Sequence, residues 1–346
     1  MSAPADIAAK VLRQREYGLI LLIALVTAIV SMVDPGFLDA ANLRDVLVRS
    51  APTAIVACGV MLVVVTAEID ISVGSLMALL AALMGLLISR NEWQLSMWIG
   101  IPAVLLTGTL IGLLTGALVT LGRVPSIIVT LGLLTALRGA TTLLMGGENI
   151  DGLPESLQSL TKVGVLGLPL GVWAAAVVLA VTGVLITHTA LGRRLFALGS
   201  SAYAARMTGL SETRLKVFAF AYTGFLTALA TIVDVPRLPK IESGIGNGFE
   251  LLVVTCVVVG GVSISGGRGR LAGVALAVVL LTMVRPVLTF LDVGEAGEKW
   301  TKAIQGLFIL LAVITDTLVS RRSPRSHPLL STLKPAEGRA GKSSPA

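Results

Sequence analysis

Long apolar runs recur along the chain and are separated by short polar segments. A helix that crosses a bilayer needs about 20 predominantly apolar residues, so each run of this kind predicts one membrane span. The ten predicted spans lie near 17–33, 51–67, 72–89, 98–121, 127–145, 171–188, 217–233, 250–262, 270–291 and 300–319. The eighth is too short to cross alone as a straight helix, and it predicts a half-helix or a helix that extends into its flanks.

The composition agrees with a membrane environment. Hydrophobic types make up 55% of the 346 residues, charged types make up only 14%, and the mean hydropathy is +0.90. A soluble domain carries roughly 25% charged residues, and a chain as apolar as this one has too few polar groups to cover its surface in water. Lipid is therefore expected to be its main solvent. We predict an all-α polytopic membrane protein of about ten transmembrane helices.

The basic residues predict how the chain is oriented in the membrane. Of the Lys and Arg residues, 17 fall in connecting segments on the side of the N-terminus and 7 fall on the opposite side. By the positive-inside rule, both termini are expected in the cytoplasm. The first run is followed by Asp34-Pro35-Gly36 without a small-residue cleavage pattern, which favours a retained span over a signal peptide.

These patterns divide the chain into three parts. Residues 1–16 form a cytoplasmic N-terminal segment, and residues 17–319 form the transmembrane domain. Residues 320–346 mix Lys and Arg with Pro, Ser and Gly, which predicts a basic disordered tail near anionic lipid. Nucleic-acid binding is the weaker interpretation of this charge, because no folded module carries it, and no nucleic-acid partner is expected.

Two polar segments between the spans are long. Residues 146–170 form the longest predicted outer loop and carry Glu148, Asp151 and Glu155 against one Lys. Residues 189–216 form the longest internal loop and carry five basic residues. The internal loop is compatible with a short helix from Tyr203 to Met207 that stops at Gly209. A short helix on the cytoplasmic surface would suit docking to a soluble partner.

Among the polar side chains inside predicted spans, Arg138, Arg285 and Gln305 raise specific alternatives. Arg138 lies near the middle of the fifth span, where a guanidinium must face a polar cavity or a partner, or reach out to the membrane surface. Arg285 precedes Pro286, which favours a kink with the Arg extending to the outer interface. Gln305 in the tenth span either lines a pathway or bonds to a neighbouring helix.

Glu68-Ile69-Asp70 lies between the second and third spans. Carboxylates deep in lipid are costly and usually functional, so proton coupling is one interpretation. The favoured interpretation is that they lie at the interface and that Asp70 or Ser72 caps the next helix.

The sequence offers no catalytic constellation. HExxH, GxSxG and Cys/His clusters are absent, and no metal site is expected. Cys58 and Cys256 lie in apolar runs, which indicates buried small hydrophobes. Gly341-Lys342-Ser343 superficially resembles the end of a phosphate-binding loop, but Ala336 stands where that pattern requires Gly. If transport is driven by ATP, another subunit must hydrolyse it.

Five segments carry a family resemblance. They are similar to the permease subunits of bacterial ATP-binding-cassette (ABC) importers for ribose, xylose, rhamnose and related sugars, including autoinducer-2. The resemblance runs from about residue 17 to 319. In chain order the segments are AEIDISVGSLMAL, GRVPSIIVTLGLLTALRGATTLLMGG, LGRRLFALGSSAYAARMTGL, GFELLVVTCVVVGGVSISGGRGRLAGV and WTKAIQGLFILLAVITD.

The resemblance implies a type II-like importer fold in the bacterial inner membrane. It also implies a second permease subunit, identical or homologous, with a cytoplasmic ABC ATPase that binds ATP and Mg and a periplasmic solute-binding protein. No cofactor is then expected in this chain. By resemblance, Ala204, Ala205, Arg206 and Gly209 fall in the coupling region that meets the ATPase.

Several positions depart from the family pattern. The family usually has Gly at Glu68, Asn near Thr115 and Ile-Ala-Ala at Val254-Thr255-Cys256. The ninth span has Arg285-Pro286 and lacks the usual Asn-Gly. NIDGLPESL looks most like the autoinducer-2 or rhamnose permeases. These departures leave the identity of the sugar open.

We therefore expect a transport subunit and not an enzyme: a permease that forms the pathway for a sugar or sugar-like solute of the ribose, rhamnose or autoinducer-2 class. Thr130, Thr135, Arg138 and Gln305 are the candidate pathway residues. A branched-chain amino-acid ABC permease is the nearest alternative, and a proton-coupled secondary transporter is a further one.

Overall fold

The computed structural model describes residues 15–162, 164–293 and 297–322. Most of this part of the chain is helical. The helices are α1 (Arg15–Val33), α2 (Ala40–Val65), α3 (Val73–Ile88), α4 (Met97–Thr120), α5 (Ser126–Leu144), α6 (Glu155–Lys162), α7 (Leu170–His188), α8 (Ala190–Ser200), α9 (Ala202–Met207), α10 (Glu212–Asp234), α11 (Phe249–Val259), α12 (Leu271–Phe290) and α13 (Gly297–Arg322).

The remaining regular elements are short. Pro35–Leu38 and Val235–Arg237 form single 3-10 turns. Two strands, Gly164–Val165 and Leu168–Pro169, pair in antiparallel register. Residues 1–14 and most of the predicted basic tail, 323–346, lie outside the described residues. The prediction of a disordered tail, like the division into three parts, stays a prediction.

The all-helical membrane fold is confirmed. Each of the ten apolar runs contains one helix, and seven helices are long and apolar enough to cross a membrane: α1, α2, α4, α5, α7, α10 and α12. The apolar helices α3 and α11 are shorter. At 11 residues, α11 rises only about 16 Å, so the prediction of a half-helix in the eighth run is confirmed.

Helix α2 forms the centre of the bundle. It is buried over 94% of its most apolar window, and it packs against α7, α10, α11 and α12. The helix begins eleven residues before the predicted start at 51, because the polar residues of its first turns interrupt the apolar run without ending the helix. Arg49 and Asp45 form an i,i+4 ion pair at 2.8 Å there, which supports helix.

Three glycines at four-residue spacing bring α4 against α10. A Cβ added to Gly108 would lie 2.6 Å from the carbonyl oxygen of Gly224, and one added to Gly116 would lie 2.7 Å from the Cα of Val217. Between them, a Cβ on Gly112 would overlap the carbonyl oxygen of Phe220. Small residues at this spacing are typical of membrane helices whose backbones touch.

The internal segment 189–216 is more helical than predicted. The short helix is confirmed as α9, and Gly209 follows it with a φ of +77°, but α8 precedes it where a loop was expected. The caps explain the division, because the hydroxyls of Thr189, Ser201 and Ser211 each accept a backbone N–H at the start of a helix. Each cap satisfies a donor that has no partner within its helix.

An irregular segment, Ile241–Gly248, enters the bundle beside α3. It begins with a β-bridge between Ile241 and Ile150. A Cβ on Gly85 would lie 2.8 Å from the Ile241 side chain, and one on Gly74 would lie 2.6 Å from the carbonyl oxygen of Gly246. These glycines are 11 residues apart on α3, so the segment descends about 16 Å along it. We call residues 241–248 the inserted segment.

The connecting segments that are predicted to lie on the same side of the membrane as the N-terminus meet at one end of the bundle. The N–H of Gly267 donates to the carbonyl oxygen of Val65 at 2.9 Å, and the Ser200 hydroxyl donates to the carbonyl oxygen of Gly267 at 3.4 Å. We call this the α9 end, and the opposite end, which holds α6, the α6 end. Assignment of the α9 end to the cytoplasm stays a prediction.

Candidate functional site

A cavity of about 450 Å³ opens beside the inserted segment. Its walls come from the inserted segment, α11, α12 and α13, with one residue each from α3 and the end of α10. Apolar side chains and backbone form most of the surface, and polar side chains interrupt it. These polar residues are Asp234, Asn247, Arg285, Thr301, Lys302 and Gln305. A volume of this size and a mixed lining suit a small polar solute.

Glycines shape the part of the inserted segment that borders the cavity. Gly246 and Gly248 have φ values of +74° and +79°, a left-handed conformation that glycine adopts without steric cost. Gly246 also packs against the first turn of α3, where a Cβ would overlap the carbonyl oxygen of Gly74. Irregular backbone at membrane depth is tolerated where protein buries it or where it lines a cavity, and both conditions hold here.

Arg138 anchors the inserted segment. Its Nη1 donates a hydrogen bond of 2.7 Å to the carbonyl oxygen of Ile245, a residue that lines the cavity. Of the alternatives that the sequence leaves open, the structure therefore selects a partner within the protein. A direct role for Arg138 in the pathway stays a prediction.

Glu250 is a functional candidate that sequence reasoning missed. It lies in the first turn of α11, and its Oε2 is buried without a hydrogen-bond partner in the described part of the chain. The carboxylate packs closely against Gly74 of α3. Its negative charge interacts electrostatically with Arg138. A carboxylate at a helix N-terminus is favoured by the helix dipole. The available signal was a lone acidic residue at the start of an apolar run.

Gln305, Thr130 and Thr135 occupy different surroundings. Gln305 lines the cavity. Thr130 is fully buried, and its hydroxyl donates to the carbonyl oxygen of Ile69 at 3.4 Å. Thr135 is exposed on α5 and donates to the carbonyl oxygen of Gly132 at 2.8 Å. The structure thus places only Gln305 in the cavity wall, while Arg138 reaches the cavity through Ile245.

Arg285 lies on α12, which continues through Pro286. Arg285 is one of the residues that border the cavity, and it is exposed. Its extension to the outer interface stays a prediction.

The α9 end carries an exposed surface. Ala204, Arg206 and Gly209 are exposed, whereas Ala205 is buried against the bundle. The large side chains of Tyr203 and Met207 are 65% and 69% exposed on the same helix. Tyr203 and Met207 are four residues apart, so they lie on one face of α9. The prediction that α9 meets an ATPase is compatible with this exposure and stays a prediction.

A chain of ion pairs runs from α9 into the bundle. Arg206 contacts Glu212 at 2.8 Å, Glu212 contacts Lys216 at 2.6 Å, and Lys216 contacts Glu68 at 2.5 Å. The side chains of Lys216 and Glu68 are only 13% and 15% exposed. The chain borders a second cavity of about 530 Å³, which Arg123 also lines.

The junction between α2 and α3 follows Glu68. Asp70 is buried, and its Oδ1 accepts hydrogen bonds from the N–H and the hydroxyl of Ser72, at 2.8 Å and 2.7 Å. Burial raises the pKa of the Asp70 carboxyl, and the hydrogen bonds from Ser72 lower it. Ser72 is the N-cap residue of α3, so Asp70 orients the start of α3. Within the described residues, no group of His, Cys, Asp and Glu is arranged to hold a metal ion.

Comparison with known proteins points to transport. A family model described as the permease component of a branched-chain amino acid transport system matches residues 42–313. The ribose import permease protein RbsC of Haemophilus influenzae is 35% identical over 316 residues, which cover 90% of this chain and 95% of that protein.

Two further relatives are also import permease proteins. The ribose import permease protein RbsC of Escherichia coli K12 is 34% identical over 86% of this chain and 92% of its own length. The autoinducer 2 import system permease protein LsrC of Shigella flexneri is 34% identical over 85% of each chain. No solved structure matches this chain.

Proposed function

We propose that this chain, which belongs to the family of permease components described for branched-chain amino acid transport, is the membrane-spanning permease subunit of an ABC importer for a sugar or sugar-like solute. The observation that carries the proposal is the similarity along nearly the whole chain to permeases named for ribose and autoinducer 2. The multi-pass helical fold provides the membrane domain that such a subunit requires.

The surroundings of the cavity support a neutral polar solute. Amide, hydroxyl and charged side chains interrupt an otherwise apolar wall, and hydroxyl groups of a sugar can accept from or donate to each of these types. Arg138 and Arg285 supply guanidinium donors near or in the wall. Thr130 and Thr135 complete the proposed set of pathway residues. They lie outside the cavity wall in this structure, and in this proposal they reach the pathway when α5 adopts another conformation.

In this proposal the work is divided among several proteins. A periplasmic solute-binding protein selects the solute and delivers it to a pathway between two permease subunits, identical or homologous. A cytoplasmic ATPase binds ATP and Mg, and its closure moves α9 and the residues around it, Ala204, Ala205, Arg206 and Gly209. The permease itself catalyses no reaction and needs no cofactor. Both termini then lie in the cytoplasm.

Uptake measurements test the substrate class. Cells that lack the gene, and the same cells with the gene restored, are supplied with labelled ribose, autoinducer-2 or leucine. We expect the restored gene to increase uptake of ribose or autoinducer-2 and to leave leucine uptake unchanged. Leucine uptake that depends on the gene would instead support a branched-chain amino-acid permease, the alternative suggested by the family description.

Reconstitution tests the energy source. Purified alone in liposomes, the permease is expected to concentrate none of the three solutes, with or without a proton gradient. Addition of the ATPase, the binding protein and ATP is expected to start accumulation. Accumulation by the lone permease in a proton gradient would show a secondary transporter and overturn the proposal.

A further inference from the structure

We propose that the buried ion pair between Lys216 and Glu68 links the α9 surface to the inserted segment. Helix α3 transmits the movement from the ion pair to the inserted segment. This inference rests on the proposed function, because it concerns how an ATPase at α9 acts on the pathway. It assigns a positioning role to two side chains that contact neither the cavity that contains Gln305 nor the exposed face of α9.

The first step runs from α9 to the junction of α2 and α3. Arg206 on α9 is 57% exposed in its pair with Glu212, and exposed ion pairs contribute little energy. Lys216 and Glu68 are mostly buried, and Lys216 also contacts Glu212, so separation of the pair would leave the Glu68 carboxylate without its cation in a partly solvated site. The buried pair therefore holds α10 and the junction together when α9 moves.

The second step concerns the rigidity of the junction. Ala67 has a φ of +64°, and the turn at Gly266 packs so closely that a Cβ there would lie 2.8 Å from the Cβ of Ala67. The N–H of Gly267 is bonded to the carbonyl oxygen of Val65. Backbone contacts this close leave the junction little room to absorb a displacement. A shift of Glu68 is therefore passed along the chain to Asp70 and Ser72.

The third step runs from α3 to the cavity. Ser72 is the N-cap of α3 and is held by Asp70. In the first turn of α3, Gly74 touches the carbonyl oxygen of Gly246 and the carboxylate of Glu250. Gly246 lines the cavity. A movement of the α3 N-terminus thus changes the wall of the cavity without any contact between α9 and the cavity itself.

A double-mutant cycle in the reconstituted importer tests the link. Glu68→Gln, Lys216→Met and the double variant are compared with wild type for uptake of labelled ribose and for ATP hydrolysis. We expect each single variant to hydrolyse ATP at a rate within about twofold of wild type while uptake per ATP falls about tenfold, a usual size for coupling between sites. The double variant is expected to be no worse than Lys216→Met, because that variant already removes the pair with Glu68 together with the pair with Glu212.

Two control variants separate linkage from folding. Lys216→Arg keeps the charge and is expected to retain at least half of the wild-type ratio of uptake to ATP hydrolysis. Asp45→Asn breaks the exposed pair with Arg49, far from the α9 end, and is expected to leave the ratio unchanged.

Three results would overturn the link. The first is an unchanged ratio of uptake to ATP hydrolysis in Glu68→Gln and Lys216→Met. The second is a parallel loss of hydrolysis and uptake in these variants. The third is a double variant whose loss is the strict sum of the two single losses. Failure of the wild-type importer to take up ribose with ATP would count against the proposed function and not against the link.

Discussion

The Arg138 guanidinium on α5 and the carbonyl oxygen of Ile245, 107 residues away, are joined by a hydrogen bond of 2.7 Å. The bond ties a membrane helix to irregular backbone inside the bundle. It explains how a charged side chain is accommodated at this depth, because the guanidinium has a backbone acceptor and the charge of Glu250 acts on it. The bond places Arg138 behind the wall of the cavity, against the inserted segment.

Removal of this anchor is expected to loosen the inserted segment. Arg138→Met removes the charged donor from the half-buried carbonyl oxygen of Ile245, and a hydrogen bond to a charged group is worth about 1.5–3 kcal/mol. We expect a lower melting temperature in detergent and an uptake rate reduced about tenfold, the effect of roughly 1.4 kcal/mol. The matched control is Arg44→Gln, because Arg44 is exposed on α2. Equal losses in both variants would contradict an anchoring role.

Gln305 provides a test of the cavity wall. Gln305→Leu removes a donor and an acceptor from the cavity while roughly keeping side-chain volume, so solute hydroxyls lose a partner worth about 0.5–1.5 kcal/mol. We expect uptake of labelled ribose to fall several-fold with protein abundance unchanged. Leu307→Ala serves as the control because Leu307 is 56% exposed on the same helix. Wild-type uptake by Gln305→Leu would remove Gln305 from the pathway.

The contact between α4 and α10 predicts a large effect from one methyl group. Gly112→Ala places a Cβ against the carbonyl oxygen of Phe220, and relief of such overpacking typically costs about 1–3 kcal/mol. We expect a clear drop in the melting temperature of the detergent-solubilised protein. Gly18→Ala on α1 is the control, because no atom lies within 4 Å of the added Cβ. Equal melting temperatures for the two variants would contradict the close contact between α4 and α10.

The exposed face of α9 can be tested by charge. Ala204→Asp adds a carboxylate to an exposed position, where a docked ATPase would have to desolvate it. We expect the ATPase to be lost on co-purification while the permease stays folded, and the buried neighbour Ala205 to remain in place. Ala41→Asp is the control, since Ala41 is exposed near the start of α2, remote from α9. Undiminished recovery of the ATPase with Ala204→Asp would exclude docking on this face.

Hydropathy alone located the helices with useful accuracy. Every predicted span contains a helix, and the short eighth run is the half-helix α11. Gly209 ends the short helix at α9 as its pattern predicted. The expectation of a loop before α9 was wrong, since the amphipathic residues of α8 form a helix that docks on the end of α2 through Gly199. A hydropathy window cannot distinguish such a helix from a polar connection.

The candidate site was only partly accessible from the sequence. Arg138 and Gln305 stood out because polar groups inside apolar runs are expensive. Glu250 was overlooked because it lies at the border of a run, where a carboxylate is unremarkable. Lys216 was counted only as one of five basic residues in its segment, although its burial against Glu68 sets it apart.

The amino-acid sequence by itself determined the solvent of this protein, the approximate positions of its long apolar helices and the set of polar residues that lipid forces into internal contacts. Each of these follows from local composition and from the length that a bilayer imposes on a helix. Only the tertiary structure decided which residues meet: Arg138 with Ile245, Lys216 with Glu68, and Gly74 with Gly246. These partners are more than 100 residues apart in the sequence, and whether they meet depends on how the helices pack against one another, which local composition does not specify.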